Sequence, residues 1–193
     1  DGVVEPFISS ECINLLASGD SIFVGNSMPV RDMDAYTPSS NKKVRVLSNR
    51  GASGIDGLIS SALGMSIASK NNNVLIVGDV SFAHDLGSLV DAERSGASLT
   101  IVLINNQGGN IFNQLPIKEF AKESYKRFWL TPPDLNTGAI CKAFGIDHMR
   151  AKNMADFRRA FSGALKLSGL KVVEVCCDVK KDNRFRDSVI KDL

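Results

Sequence analysis

Histidine and tryptophan are scarce in this chain: 193 residues hold two His and one Trp. No Cys or His lies at ligand spacing from His84 or His148, which excludes the common zinc frameworks. Cysteine is also sparse, with Cys12, Cys141, Cys176 and Cys177 and no CxxC. The adjacent pair Cys176–Cys177 falls in the apolar run "VVEVCCDV". Neighbouring strand residues point to opposite faces, so reduced thiols are expected rather than a metal site or a disulfide, as suits a reducing compartment. An excess of one charge is missing too: 23 Lys and Arg against 21 Asp and Glu leave +2. That argues against nucleic acid or an anionic membrane surface as partner. No apolar run approaches the ~20 residues a membrane span needs. "DGVVEPFISSEC" has no basic stretch ahead of an apolar core, so no secretory leader is read there. It begins with Asp rather than Met, as a fragment or processed product would.

What is present is ordinary globular composition, 44% hydrophobic and 23% charged, enough for one α/β domain. Residues 5–19 read as a helix, 21–25 as a strand, 26–36 ("NSMPVRDMDAY") as a polar loop, and 43–49 as a strand. The Gly-rich loop "RGASGIDG" (50–57) precedes a helix over 58–69. A strand at 73–79, a helix over 84–96 closed by Gly96 and a strand at 99–106 follow. Beyond the loop "QGGNIFNQLP", residues 117–136 are polar and aromatic, and there Phe128 and Trp129 cannot be sorted into core or site. A helix from 137, a brief strand at 147–151, an amphipathic helix from 154 and a last strand from 170 lead to a charged tail. The alternation of helices with near-continuous apolar strands predicts an α/β fold: a parallel five- or six-stranded sheet with helices on both faces. Ligands of such folds bind outside the carboxyl ends of the strands. The loops "GNSMPVR", "NRGASGID", "GDVSF" and "NNQGGNIF" are therefore where function is sought.

Asp79 and Asn106 are separated by one helix and one strand, which can bring both to the same sheet edge. Mg²⁺ takes oxygen ligands, commonly one or two protein carboxylates plus phosphate oxygens and water. Asp79, the Asn106 amide and the Gly108 carbonyl can make the protein's share, the glycines letting the backbone turn inward. Strand-end turns and caps also use Asp and Asn, and spacing alone leaves that alternative open. Ser27, beside Asn26, and Ser81, after Gly78, Asp79 and Val80, offer donors to a diphosphate. Arg31 and Arg50 sit in strand-end loops, where they can grip carboxylates bidentately, or else be solvated or pair with Asp32, Asp34 or Asp56. Helix-start packing is the reading for His84; His148 has no nameable partner.

"GD-x25-NN" resembles the cofactor motif of thiamin-diphosphate-dependent enzymes, with Val80 where the motif usually has Gly. "FVGNSMPVRDMD", "LSNRGASGIDGLISSALG" and "NNQGGNIFNQLP" narrow the resemblance to the 2-succinyl-5-enolpyruvyl-6-hydroxy-3-cyclohexene-1-carboxylate synthases of menaquinone and phylloquinone biosynthesis. The match runs from about residue 10 to 116 and is looser beyond. It implies the thiamin-diphosphate-binding fold and a cofactor pair of thiamin diphosphate with Mg²⁺ or Mn²⁺, the metal on Asp79, Asn106 and Gly108. Cofactor contacts would come from Asn26, Ser27, Gly54, Ile55, Gly78, Asp79, Val80, Ser81, Asn106, Gly109, Ile111 and Phe112. Ile55 would prop the bent cofactor, and Ile111 and Phe112 would wall the site. With Ser27, Arg31 and Arg50 would bind the carboxylates of 2-oxoglutarate and isochorismate. The implied reaction decarboxylates 2-oxoglutarate and adds the resulting succinyl-semialdehyde unit to isochorismate by 1,4-addition.

The same resemblance makes residues 1–193 the C-terminal diphosphate domain of a larger enzyme, its pyrimidine-binding and central domains lying outside this chain. The Glu that activates the cofactor belongs to the N-terminal domain of a neighbouring subunit, so a homodimer or homotetramer is implied. The chain alone is expected to bind Mg²⁺–thiamin diphosphate weakly at best and not to turn over. A bacterial enzyme would be cytoplasmic, a plant one in the chloroplast stroma. Competing readings are another thiamin-diphosphate carboligase, a nicotinamide-binding fold and a non-catalytic domain. The two arginines oppose the first, the missing GxGxxG the second, and the intact Asp79 and Asn106 the third.

Overall fold

Six short strands, the central ones rich in Val, Ile and Leu, form one parallel sheet in the computed structural model, which describes residues 2–191. They are β1 (Ser21–Val24), β2 (Arg45–Leu47), β3 (Asn73–Gly78), β4 (Leu99–Asn105), β5 (Asp147–Ala151) and β6 (Leu170–Cys176), in the order β2-β1-β3-β4-β6-β5. Every pairing is parallel, from Ile22↔Val74 to Leu103↔Glu174 and Met149↔Val173. Residues one apart along a strand serve opposite faces. Ile22, Ile76 and Val102 accordingly pack under α1 (Pro6–Leu15) and α9 (Met154–Ala164), where Phe157 and Phe161 stack. Phe23, Leu75 and Ile101 pack on the other side under α3 (Leu58–Ile67). Covering both faces is what lets the central strands β1, β3 and β4 be nearly continuous apolar runs, as expected; the edge strands β2 and β5 are more polar and more exposed.

The chain leaves β1 toward β2, then returns past β1 to β3 and onward to β4. Strand order reverses between β1 and β3, and a crevice opens at such a point above the carboxyl ends.

Three stretches differ from the sequence reading. The expected polar loop after β1 holds a helix, α2 (Met28–Tyr36), with Pro29 in its first turn, where a fixed φ and a missing N–H are tolerated. Its inward side carries Asp32, 1% exposed, so polarity disguised a buried face. Asp32 is matched by Arg186, whose two Nη atoms donate to its carboxylate at 2.6 and 2.8 Å. Arg186 lies in α10 (Val179–Lys191), which the charged tail forms.

The helix expected over 84–96 is divided into α4 (Asp79–His84), a 3₁₀ turn (Leu86–Leu89) and α5 (Val90–Arg94). The break is at Asp85, buried, whose carboxylate accepts from the N–H groups of Gly57 (2.8 Å) and Ile59 (2.7 Å) at the start of α3. Asp85 thus caps another helix instead of continuing its own. Asp85→Ala is expected to cost about 1–2 kcal/mol in urea unfolding and to loosen the 50–57 loop. Gly96 ends α5 with φ 65°, the left-handed turn expected of it.

Residues 117–136 hold the short turns α6 (Ile117–Phe120) and α7 (Lys122–Tyr125) and a π turn (Lys126–Leu130), before α8 (Thr137–Ala143). All four cysteines are free thiols; Cys12 and Cys141 are buried, Cys176 and Cys177 half-buried.

Candidate functional site

The crevice between the β1 and β3 ends is a cleft of about 400 Å³. Four separate loops bring their sequence-predicted residues to it. From the β1 end and the start of α2 come Asn26, Ser27 and Arg31; from the 50–57 loop, Arg50 and Ile55; from the β3 end, Gly78, Asp79, Val80 and Ser81; from the β4 end, Asn106, Gly108, Gly109, Ile111 and Phe112. Gly54 does not line the cleft, but its carbonyl accepts from Asn26 Nδ2 at 2.6 Å and so shapes the wall.

Asp79 is 6% exposed. Its Oδ1 accepts from the Val80 N–H at 2.8 Å and its Oδ2 from the Gly108 N–H at 3.0 Å. Burial pushes this carboxyl above its ordinary pKa, against the pull of the backbone donors. Each carboxylate oxygen keeps unused acceptor capacity. Asn106, 7% exposed, donates through Nδ2 to Glu5 Oε2 at 3.0 Å, while its Oδ1 is buried with no partner. A buried acceptor without a donor is expensive. Asp79 and Asn106 therefore offer the oxygen donors that a hard divalent cation takes, and the residues present fit such an ion. Gly108 brings a qualification. Its carbonyl already accepts from the Asn110 N–H at 2.8 Å and from Asn110 Nδ2 at 3.2 Å. Joining a metal shell would require those donors to yield.

The 107–109 loop is tight. Gln107 has φ 63° and Gly108 φ 122°, and a Cβ at Gly108 would run into the Leu130 carbonyl. The Gly109 N–H donates to that same carbonyl at 2.6 Å. Only glycine fits, and the π turn is thereby pinned against the loop, bringing Phe128 and Trp129 into the cleft lining.

Across the cleft, Ser27 holds φ 71° and ψ −130°, a sparsely populated geometry for a residue with a side chain. Its carbonyl accepts from Arg31 Nη1 at 2.6 Å, and Arg50 Nη1 donates to Asn26 Oδ1 at 2.9 Å. Among the described residues neither guanidinium is in a salt bridge; Asp32, one suggested partner, is taken by Arg186. Both are exposed, so their remaining donors face the cleft and solvent.

His84 ends α4 instead of heading a helix, and it is exposed, outside the cleft. His148 does have a partner: its Nε2 lies 2.9 Å from Glu174 Oε2, beside a second hollow across the β4 end. The sequence carries no sign of Glu5, an isolated acid near α1, or of Asn110; the Asn that follows "GG" is the only hint of the latter.

The chain matches the family described as "Thiamine pyrophosphate enzyme, C-terminal TPP binding domain" over residues 31–175. Curated relatives named 2-succinyl-5-enolpyruvyl-6-hydroxy-3-cyclohexene-1-carboxylate synthase are similar over most of it. The protein from Geobacillus kaustophilus is 46% identical over 87% of this chain and 29% of its own length. That from Myxococcus xanthus is 40% identical over 92% and 30%. This chain thus spans less than a third of the relatives it matches. In fold it is similar to a thiamine diphosphate-dependent 4-hydroxybenzoylformate decarboxylase from Rhodococcus jostii RHA1, with TM-score 0.75, 17% identity, and 92% of this chain against 33% of that one covered. The benzoylformate decarboxylase of Polynucleobacter necessarius gives TM-score 0.70 at 16% identity over 90% and 33%.

Proposed function

We propose, on the premise that this chain belongs to the thiamine pyrophosphate enzymes as their C-terminal TPP binding domain, that it serves a 2-succinyl-5-enolpyruvyl-6-hydroxy-3-cyclohexene-1-carboxylate synthase. In this reading 2-oxoglutarate is decarboxylated and its four-carbon remainder is joined to isochorismate. The observation that carries it is the unpartnered Asn106 Oδ1 and the buried Asp79 carboxylate at the ends of the paired strands β4 and β3, in a cleft that Arg31 and Arg50 also line.

Asp79 and Asn106 would hold a divalent cation, Mg²⁺ or Mn²⁺, which would offset the charge of the diphosphate. Ser27 and Ser81 would donate to phosphate oxygens. When bound, thiamin diphosphate supplies the electron sink for decarboxylation and the nucleophilic carbon for bond formation. Ile55, half-buried, would support it from one wall, and Ile111 and Phe112 would exclude water from the other. Arg31 and Arg50 would fix the substrate carboxylates through donors their backbone and Asn26 contacts leave over. Orientation of that kind lowers a barrier by several kcal/mol when geometry is right.

A neighbouring subunit's N-terminal domain would complete the site. The apolar side chains at and beyond the mouth support this: Phe112 is 37%, Leu115 45%, Phe120 83% and Phe128 63% exposed. No helix among the described residues is long and apolar enough to cross a membrane. The prokaryotic sources of the relatives favour the cytoplasmic expectation over the plastid one.

Steady-state kinetics of the intact protein test the reading. 2-Oxoglutarate should be used in preference to pyruvate. Arg50→Ala should raise KM for 2-oxoglutarate at least about tenfold, the worth of one charged hydrogen bond, with thiamin diphosphate binding unchanged. Preference for pyruvate, with no response to Arg50→Ala, would assign the domain to a different 2-oxo acid decarboxylase.

A further inference from the structure

Asn106 has a chemically two-ended side chain, and one end only suits a cation. Its Nδ2 is committed to Glu5 Oε2 at 3.0 Å, which leaves Oδ1 as the end without a partner. Turned over, the amide would present N–H donors to the cation position and set Oδ1 against the Glu5 carboxyl, oxygen to oxygen.

We propose that Glu5 is a positioning residue for the metal site: its carboxyl fixes the rotamer of Asn106 and so keeps Oδ1 available as a cation ligand. This rests on the cleft being the metal–diphosphate site.

Glu5 is well placed to impose that choice. It is 4% exposed, and its backbone N–H donates to Asp182 Oδ1 at 2.7 Å. Two residues earlier, Val3 forms a bridge with Cys177. There the Val3 N–H donates to the Cys176 carbonyl and the Asp178 N–H to the Val3 carbonyl, each at 3.1 Å. One residue later Pro6 opens α1, with φ fixed by its ring. The backbone that carries Glu5 is therefore anchored to the carboxyl end of β6 and to a helix start, and the side chain approaches Asn106 from one direction. A carboxylate accepts and does not donate, and a protonated carboxyl still has an accepting oxygen. It is the carboxylate form, which can only accept, that selects the Nδ2 end of the amide.

The test uses the intact protein and Mn²⁺ as probe, with free Mn²⁺ followed by electron paramagnetic resonance in the presence of thiamin diphosphate. Glu5→Met removes the acceptor at nearly constant volume and should weaken Mn²⁺ about 10- to 100-fold, the range for partners that orient metal ligands. Glu5→Gln keeps an acceptor oxygen and should bind close to wild type. In an Asn106→Asp background the ligand has two equivalent oxygens, so adding Glu5→Met should cost no further affinity. Metal-free melting of Glu5→Met should stay near wild type, whereas a merely structural role would shift melting and affinity together. Glu5→Ala replaces Glu5→Met if the latter does not fold. Equal Mn²⁺ affinity in wild type and Glu5→Met overturns the inference while leaving the cofactor reading intact. Loss in Glu5→Gln equal to that in Glu5→Met overturns it, since an acceptor oxygen at that place then does not suffice. Absence of Mn²⁺ binding by the wild type overturns both it and the functional reading.

Discussion

Asp79→Ala in the intact protein should abolish metal-dependent thiamin diphosphate binding, lowering affinity by at least about 100-fold, the upper end of what orienting partners alone cost a metal site. The carboxylate serves two ends at once. It clamps the Val80 and Gly108 N–H groups, which sets the turn after β4, and it keeps acceptor capacity toward the cleft. Alanine removes both. Asp79→Asn is nearly isosteric but turns one oxygen into a donor, which faces either the Val80 N–H or the Gly108 N–H. It should also lose binding. Stability should behave differently. Burial already disfavours the charged form of Asp79, which limits the loss in Asp79→Asn, and the one backbone N–H left facing the amide nitrogen should cost metal-free unfolding about 1–3 kcal/mol. Calorimetric titration with Mg²⁺, repeated in EDTA, gives the first quantity and urea unfolding the second. Binding that survives in Asp79→Ala would remove the metal from this cleft.

Arg186→Met should be the most destabilising single change outside the apolar core, at about 3–5 kcal/mol. Arg186 holds Asp32 bidentately, the two side chains being 13% and 1% exposed. Glu5 and Asp182 lie close enough to feel both. Without the guanidinium, three buried carboxyls face one another. The loss should depend on pH. Burial, the largest cause in each case, raises Asp182 to about 6 and Glu5 to about 8. For acids with raised folded-state pKa values, the folded state binds more protons than the unfolded one. Their contribution is full below the unfolded-state values and is lost as pH rises through the folded ones. The deficit of Arg186→Met should therefore be small in acid, where the three carboxyls are protonated with or without the guanidinium, and grow as pH rises through about 6 and about 8. Urea unfolding at the two ends of that window measures it. A deficit independent of pH would mean that Arg186 acts through packing alone.

The strands and the strand-end loops were legible because their signals are local. A run such as "VLIV" or "LTIVLI" followed by Gly-Asp or Asn-Asn states both a buried strand and the place where polar groups leave it. That brought Asp79, Asn106, Arg31 and Arg50 to one cleft from sequence. What escaped depends on partners far along the chain. Asp32 made α2 look like a loop because Arg186, which neutralises it, is 154 positions away. Asp85 seemed part of a helix because the N–H groups it caps lie 26 and 28 positions earlier. Glu5 reaches Asn106 across 101 positions. Side chains that act through long-range pairs leave no periodicity or spacing to read.

The reversal of strand order divides the labour of the cleft between two halves of the sheet. The β1–β2 half carries Arg31 and Arg50; the ends of β3 and β4 carry Asp79 and Asn106. The proposed metal ligands thus sit on one half of the sheet alone, whereas the other half carries the arginines and also Ser27 and Ile55, proposed to touch the cofactor. A change in the acid accepted would therefore have to rewrite that half around two residues the cofactor would still need.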